Sequence, residues 1–284
     1  MTTAAIATSY KRYVDETLNK YLPKIKTLRT LYNEISVDAA TVILEYSKLT
    51  QTYAEATGYN AFSLPESMAE GTNATLQSMG TEDSSSSPVK YGLGFKITRE
   101  EELSKRAFIM KFVAEKTIAS LQSVETLINS NLAAGLIANA SGSYSASATW
   151  VTTGKPFLDV STAKNSFRKR TGIDPDFIVV HPDNYVSVEQ NDRVQSTIYS
   201  PNTTWVETGK MLPNLMGLNW VIDATMTKGT FIMGKKGMFG DLFTPIAYTM
   251  YEQDKGAAGK VYESVISFVA QYKMPYYLLK GTGI

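Results

Sequence analysis

Between Val89 and Ala134 the sequence changes its hydrophobic period once, abruptly, and that change constrains the fold more than any other feature. Val89, Tyr91, Leu93, Phe95 and Ile97 alternate with Lys90, Gly92, Gly94 and Lys96, the period of a strand with one apolar face. Thr98-Arg-Glu-Glu101 then reads as a capping box: the threonine caps backbone N–H groups and the glutamate reaches back. Glu100, Glu101 and Glu102 suit the positive end of a helix dipole. Leu103, Ala107, Met110, Ala114, Ile118, Leu121, Val124, Ile128 and Leu132 follow at steps of three and four. They predict a helix from Arg99 to near Ala134, with Gly135 as its stop. At about 1.5 Å per residue such a rod is about 50 Å long, more than a small globular core needs.

The flanks divide into distinct textures. Tyr10, Val14, Leu18, Tyr21, Leu22, Ile25, Leu28, Tyr32 and Ile35 recur at helical steps, with Pro23 as a kink. This amphipathic arm must find a surface on its own subunit or on a neighbour. Thr41 to Tyr46 is β-branched and aromatic and reads as a strand. From Gly58 to Pro88 the chain is weakly hydrophobic and broken by Gly58, Pro65, Gly71, Gly80 and the run Ser84 to Ser87. A loop of that length in a compact domain is either disordered or used in binding, and the strand that follows favours binding. Val89 to Ile97 is then expected as the return arm of a long hairpin whose outward arm begins after Thr41.

Beyond Ala138 to Gly154, a small polar stretch read as a linker, helices and strands alternate. Ser161 is expected to cap a helix ending at Thr171, stopped by Gly172. Asp176 to Val180 reads as a buried strand, and His181-Pro-Asp leads into a helix with Tyr185 and Val188 inward. Leu218 to Asp223 and Gly229 to Gly234 read as two further strands. Pro245 to Gln253 and Lys260 to Tyr272 flank the glycine-rich turn Asp254 to Gly259 as a closing hairpin.

Composition narrows the chemistry. The 284 residues, 43% hydrophobic and 19% charged, have the balance of a globular chain able to bury a sizeable core. With 28 Lys and Arg against 27 Asp and Glu the net charge is +1, so any nucleic-acid contact must be local and weak. No cysteine is present, which excludes disulfides and thiolate metal sites. No apolar run reaches the roughly 18 residues of a membrane helix. His181 is the only histidine, so a triad would have to centre on it, and its place at a strand end suits a structural role. Gly92-Leu-Gly94 lacks the third glycine of a dinucleotide loop, and no phosphate-cradling Gly-Lys-Ser/Thr element occurs. The basic cluster Lys164, Arg168, Lys169 and Arg170 reads as a solvated helix face. No catalytic, cofactor or metal site is expected.

The order of these elements resembles the major capsid proteins of tailed viruses, the Hong Kong 97-type fold. Ala69-Glu-Gly71 is similar to the small-acidic-glycine signature early in that family's extended loop. Val89 to Leu103 resembles the loop's return strand entering the spine helix, and Phe177-Ile-Val-Val-His-Pro-Asp-Asn-Tyr185 the axial-domain strand and helix start. Gly229 to Gly234 resembles the late axial-domain strand, and Tyr248 to Tyr272 the peripheral-domain return.

The resemblance implies an α+β chain in four parts. These are an N-terminal arm (1–40), a peripheral domain (41–154) with extended loop (about 58–96) and spine helix (about 99–134), an α/β axial domain (155–240), and a peripheral return (241–284). It implies a structural subunit, not an enzyme, that forms pentamers and hexamers of an icosahedral shell around double-stranded DNA. The virion would be assembled in the host cytoplasm, with portal, scaffolding or decoration proteins as further partners. Because the numbering starts at Met1, a separate scaffolding protein is expected in place of a cleaved leader. Tyr10, Leu18, Glu70, Val89, Tyr91, Leu93 and Phe95 are the candidate intersubunit contacts. An encapsulin-like compartment is the nearest alternative, and an α/β enzyme using His181 a more distant one.

Overall fold

A computed structural model describes residues 27–40, 43–49, 53–54, 58–59, 81–104, 109–150, 154–190 and 215–284. The chain enters through a 3-10 turn at Leu28–Leu31 and strand β1 (Asn33–Ser36). Strands β2 (Leu44–Leu49), β3 (Tyr53–Ala54), β4 (Gly58–Tyr59), β5 (Thr81–Ser86) and β6 (Val89–Ile97) follow. Helix α1 (Arg99–Ser104) and the 31-residue helix α2 (Ile109–Asn139) come next, then β7 (Gly142–Ser145). Helix α3 (Pro156–Thr171), β8 (Phe177–Val180) and α4 (Pro182–Glu189) lead to β9 (Asn219–Ile222) and β10 (Thr230–Gly234). The long strands β11 (Asp241–Asp254) and β12 (Lys260–Gln271) and the short β13 (Leu278–Thr282) complete the order.

Two sheets carry the body. One has the order β1-β11-β12-β6, the other β7-β13-β10-β8-β9. The long rod α2 buries Leu121 and lays Val124, Ile128, Leu132 and Leu136 into a core that also takes Phe167 of α3 and Phe177 and Phe231 of the second sheet. That single cluster reaches both sheets, so the two halves are packed through one apolar interior. A smaller cluster, Ile97, Val113 and Tyr262, holds the far end of α2 against β6 and β12.

The capping box forms as its residues dictate. The Glu101 N–H donates to Thr98 Oγ1 at 3.2 Å, and the Thr98 N–H donates to Glu101 Oε2 at 3.0 Å. Gly172 stops α3 at φ 75°, the left-handed cap that glycine takes without steric cost. The strands β8, β9 and β10 and the β11–β12 hairpin lie within a few residues of where the sequence puts them.

Six expectations need correction. The helical phase of Leu28 and Tyr32 gives a 3-10 turn and not a helix. Both side chains are buried, but the chain then extends so that β1 can pair in parallel with β11. Gly135 does not stop the rod, which continues to Asn139. A Cβ at Gly135 would sit 2.1 Å from the Tyr272 hydroxyl, so this glycine lets the residue just after β12 press against the helix. Leu103, placed on the apolar stripe, is 60% exposed.

The stretch read as a linker contains β7, which pairs with β13 in parallel. Helix α3 starts at Pro156, well before Ser161, because proline suits the first helical position, where no N–H is needed. Finally, β5 and not β6 is the partner of β2, in the register Leu44↔Ser86 to Leu49↔Thr81.

Candidate assembly interface

The return arm of the extended loop serves two partners in succession. Thr81 to Ser86 pairs with β2 as a two-stranded ribbon, and after Ser87 and Pro88 the chain continues as β6, antiparallel to β12 from Phe268↔Val89 to Lys260↔Ile97. A proline between the two strands removes a ladder donor where the pairing partner changes. At the ribbon's base the fully buried Gln271 donates to Leu44 O at 3.4 Å and to Ser86 Oγ at 3.0 Å, tying it to β12. The serine run, expected as loop, is therefore strand. Small hydroxyl side chains fit an exposed ribbon, and pairing, not apolar burial, defines it.

The apolar stripe of β6 is largely used within the subunit. Tyr91 stacks on Phe268 with ring centroids 5.2 Å apart, and Phe95 on Tyr262 at 5.1 Å. Ile97 is buried. Val89 and Leu93, on the same stripe, remain 50% and 43% exposed at the open edge of the sheet. Of the sequence-chosen contacts, these two are available surface, while Tyr91 and Phe95 are half-buried in their own core. Tyr10, Leu18 and Glu70 lie outside the described residues.

Polar groups lock the segments to one another. Arg29, just before β1, donates to Glu125 Oε1 in the middle of α2 at 2.6 Å and also pairs with Glu34. Arg29 and Glu125 are both buried. Sequence reasoning missed this pair, although the stripe Leu121, Val124, Ile128 already puts Glu125 on the inward face. The hydroxyls of Tyr32 and Tyr272 lie 2.9 Å apart in the core. Burial, then the partner's proximity, holds the Tyr32 phenol well above its ordinary pKa, and burial raises Tyr272 to about 12. Buried Asp159 accepts from Tyr144 at 2.7 Å and from the Trp150 indole at 2.9 Å, fixing the segment before α3.

The basic cluster at the end of α3 is less free than a solvated face. Arg168 makes a two-pronged pair with Asp174 at 2.7 Å, which lowers the Asp174 pKa. Arg170 reaches Ser141 Oγ at 2.9 Å and Leu278 O at 2.6 Å, and burial lowers its pKa to about 10. Lys164 donates to Met216 O at 3.4 Å, and Lys169 is exposed. His181 caps α4: its Nδ1 accepts from the Asp183 N–H at 3.1 Å, with the side chain 13% exposed. One ring nitrogen is thus engaged by the backbone, as at a helix start.

Comparison with known proteins places this architecture. The family model for phage capsid protein matches residues 81–277, from the ribbon's return strand to the 3-10 turn before β13. No curated protein matches the chain. Among solved structures, the capsid of Cyanophage P-SCSP1u superposes with a TM-score of 0.64 at 12% identity, covering 90% of this chain and 88% of that one. Mycobacterium phage Che8 gives 0.61 at 12%, covering 90% and 91%. A virus-like particle from Pyrococcus furiosus gives 0.62 at 10%, covering 93% and 96%. At such identities the likeness is one of fold, and that fold is the Hong Kong 97 type.

Proposed function

The chain belongs to the phage capsid protein family, and from that premise we propose that it assembles as pentamers and hexamers into a closed icosahedral shell enclosing double-stranded DNA. The observation that carries this reading is the span of the family match, which takes in the ribbon's return strand, the rod α2 and every strand of the two sheets except β1 and β13. In this reading α2 and the four-stranded sheet form the peripheral domain. The five-stranded sheet with α3 and α4 forms the axial domain that crowds around the local symmetry axes. Strand β13, expected in the peripheral return, goes with the axial sheet, since it pairs with β10 and β7.

Val89 and Leu93 are the exposed apolar residues we assign to contact with a neighbouring subunit. The ribbon supplies the second part of that contact. Standing alone, two strands are marginally stable in water, so the ribbon is ordered by a partner surface. Portal, scaffolding and decoration proteins would meet the shell from outside this subunit contact. A net charge of +1 leaves the packaged genome held by confinement and weak non-specific contacts. Assembly takes place in the host cytoplasm and the product is the virion.

Electron microscopy of the purified protein tests the proposal. Closed particles of uniform diameter, together with nuclease-protected DNA in particles isolated from infected cells, are the expected result. A protein that stays monomeric under every assembly condition, or particles filled with a cargo protein in place of DNA, overturns it.

A further inference from the structure

The basic residues at the end of α3 are half of a larger patch. Helix α3 ends at Thr171, Asp174 and Asp176 lie just before β8, and Lys235 and Lys236 follow β10 directly. Phe177 is paired with Gly234, so these pieces of chain meet at one end of the five-stranded sheet. Polar contacts join them. Arg168 holds Asp174, Lys235 pairs with Asp176 at 3.4 Å, and the Lys236 N–H donates to Asp176 Oδ1 at 2.7 Å. Arg168 above all, with Lys164 and Lys235 close by, keeps the Asp174 carboxyl below its ordinary pKa.

The two carboxylates do not balance the cations around them. Lys164, Arg168, Lys169, Lys235 and Lys236 stand against Asp174 and Asp176, an excess of three positive charges on a chain whose net charge is +1. Lys169 and Lys236 are exposed, and neither has an ion-pair partner among the described residues. Lys164 has the neutral carbonyl of Met216 as its acceptor. A helix C-terminus favours basic side chains, which accounts for those on α3. It does not account for Lys235 and Lys236, which come from another element.

The exposed side of α3 adds no negative charge. Its one carboxylate, Asp159, is buried and bonded to Tyr144 and Trp150. Ser161, Thr162, Asn165 and Ser166 are exposed instead, small polar groups of the kind that join Lys and Arg in contacting phosphate oxygens. From Ser161 to Lys169 they run about 12 Å along the helix. Strand β3 also lies against α3, and these residues are exposed with it in place. Phe167, the aromatic residue within the basic run, is fully buried and so offers no ring for a base to stack on.

We propose that this end of the five-stranded sheet is where the shell touches its genome: Lys164, Lys169 and Lys236 meet the phosphate backbone of the packaged double-stranded DNA without reading its sequence. The inference rests on the shell reading above and gives the non-specific contact a place. About three phosphates neutralised per copy is weak binding alone, and repetition over the copies of a shell multiplies it.

The probe is a short fluorescent DNA duplex of arbitrary sequence, titrated at low salt with the intact chain and followed by anisotropy. Lys169→Gln, Lys236→Gln is expected to weaken binding at least tenfold and to flatten the slope of log affinity against log salt by about two. It is expected to melt and to form shells as the parent does. Lys111→Gln, Lys116→Gln makes the same change of net charge on the exposed face of α2 and is expected to bind the duplex within about twofold of the parent. Parental affinity in the Lys169→Gln, Lys236→Gln chain, or equal losses in the two variants, overturns the patch as the DNA contact. Binding of polyglutamate in place of the duplex would make it a seat for an acidic protein segment and overturns it likewise. A parent chain that forms no shells overturns the shell reading, whereas shells together with any of these results overturn the inference alone.

Discussion

Arg29 and Glu125 show how much one residue pair can decide at the smallest scale. Both are buried, and each is acceptable in the core because of the other. Removing one partner leaves a charge in a medium that solvates it poorly. Glu125→Leu is therefore expected to destabilise the unassembled subunit by about 3 kcal/mol, the lower end of the usual range because Glu34 still reaches Arg29. The double change Arg29→Leu, Glu125→Leu should recover most of that loss. Urea denaturation of the three chains measures it, and an equal loss in the double variant would show that packing, not charge, sets the cost.

The tyrosines supply a pH dependence with a definite sign. An unfolded tyrosine ionises near pH 10, whereas Tyr272, Tyr144 and Tyr185 hold their protons to about 12 and Tyr32 is also raised. The folded state thus binds more protons in that window, and stability is full below pH 10 and falls as pH rises toward 12. Arg170, lowered to about 10 by burial, acts in the opposite sense, one group against these four tyrosines and Tyr248, which burial also raises. Tyr272 alone accounts for about 3 kcal/mol. Melting temperature followed from pH 8 to pH 11.5 should decline above 10, more gently in Tyr272→Phe.

At the scale of elements, α2 is held by one stripe with Leu121 fully buried near its middle. Leu121→Asp would place an unpaired carboxylate there, at a cost of several kcal/mol, and soluble folded subunit should largely disappear. Gly135→Ala tests the other contact of the rod. Its methyl would collide with the Tyr272 hydroxyl, and a loss of about 1–3 kcal/mol is expected from overpacking, visible as a lowered melting temperature without loss of fold.

These same elements show what the sequence carries and what it does not. The capping box, the alternation of β6 and Gly172 are local devices whose partners lie within a few residues, and each was legible. Gly135 was misread because its reason is Tyr272, a residue distant in sequence and close in space. The serine strand β5 and the small-residue strand β7 have no hydrophobic period at all. Their order comes from the ladders offered by β2 and β13. Of the candidate interface, the position of β6 was legible, but which of its side chains are exposed depends on where Phe268 and Tyr262 fall.

At the scale of the whole molecule, the ribbon meets its own subunit at its base through Gln271, and β3 beyond it lies against α3. Glu45 and Ser85 are directly paired, so residues 46–84 can be replaced by an Asn-Gly turn that closes the stub without strain. The shortened chain loses the contact of β3 with α3, so it is expected to melt lower than the parent but to fold, and to sediment as free subunits. Shells at parental yield would show that the ribbon has no part in assembly, and collapse of the fold would show that it serves its own domain.

The position of β13 has a consequence in time. It lies inside the five-stranded sheet, between β7 and β10, and among the described residues β7 has no other strand partner. The ribosome therefore releases Gly142–Ser145 well before the strand that completes their sheet, and at about 5–20 residues per second the delay is on the order of ten seconds. During that interval the nascent chain presents an open sheet and no finished subunit. Copies emerging side by side on one messenger cannot join the growing shell until synthesis has passed Leu278, so translation itself sets the order in which folding and assembly occur.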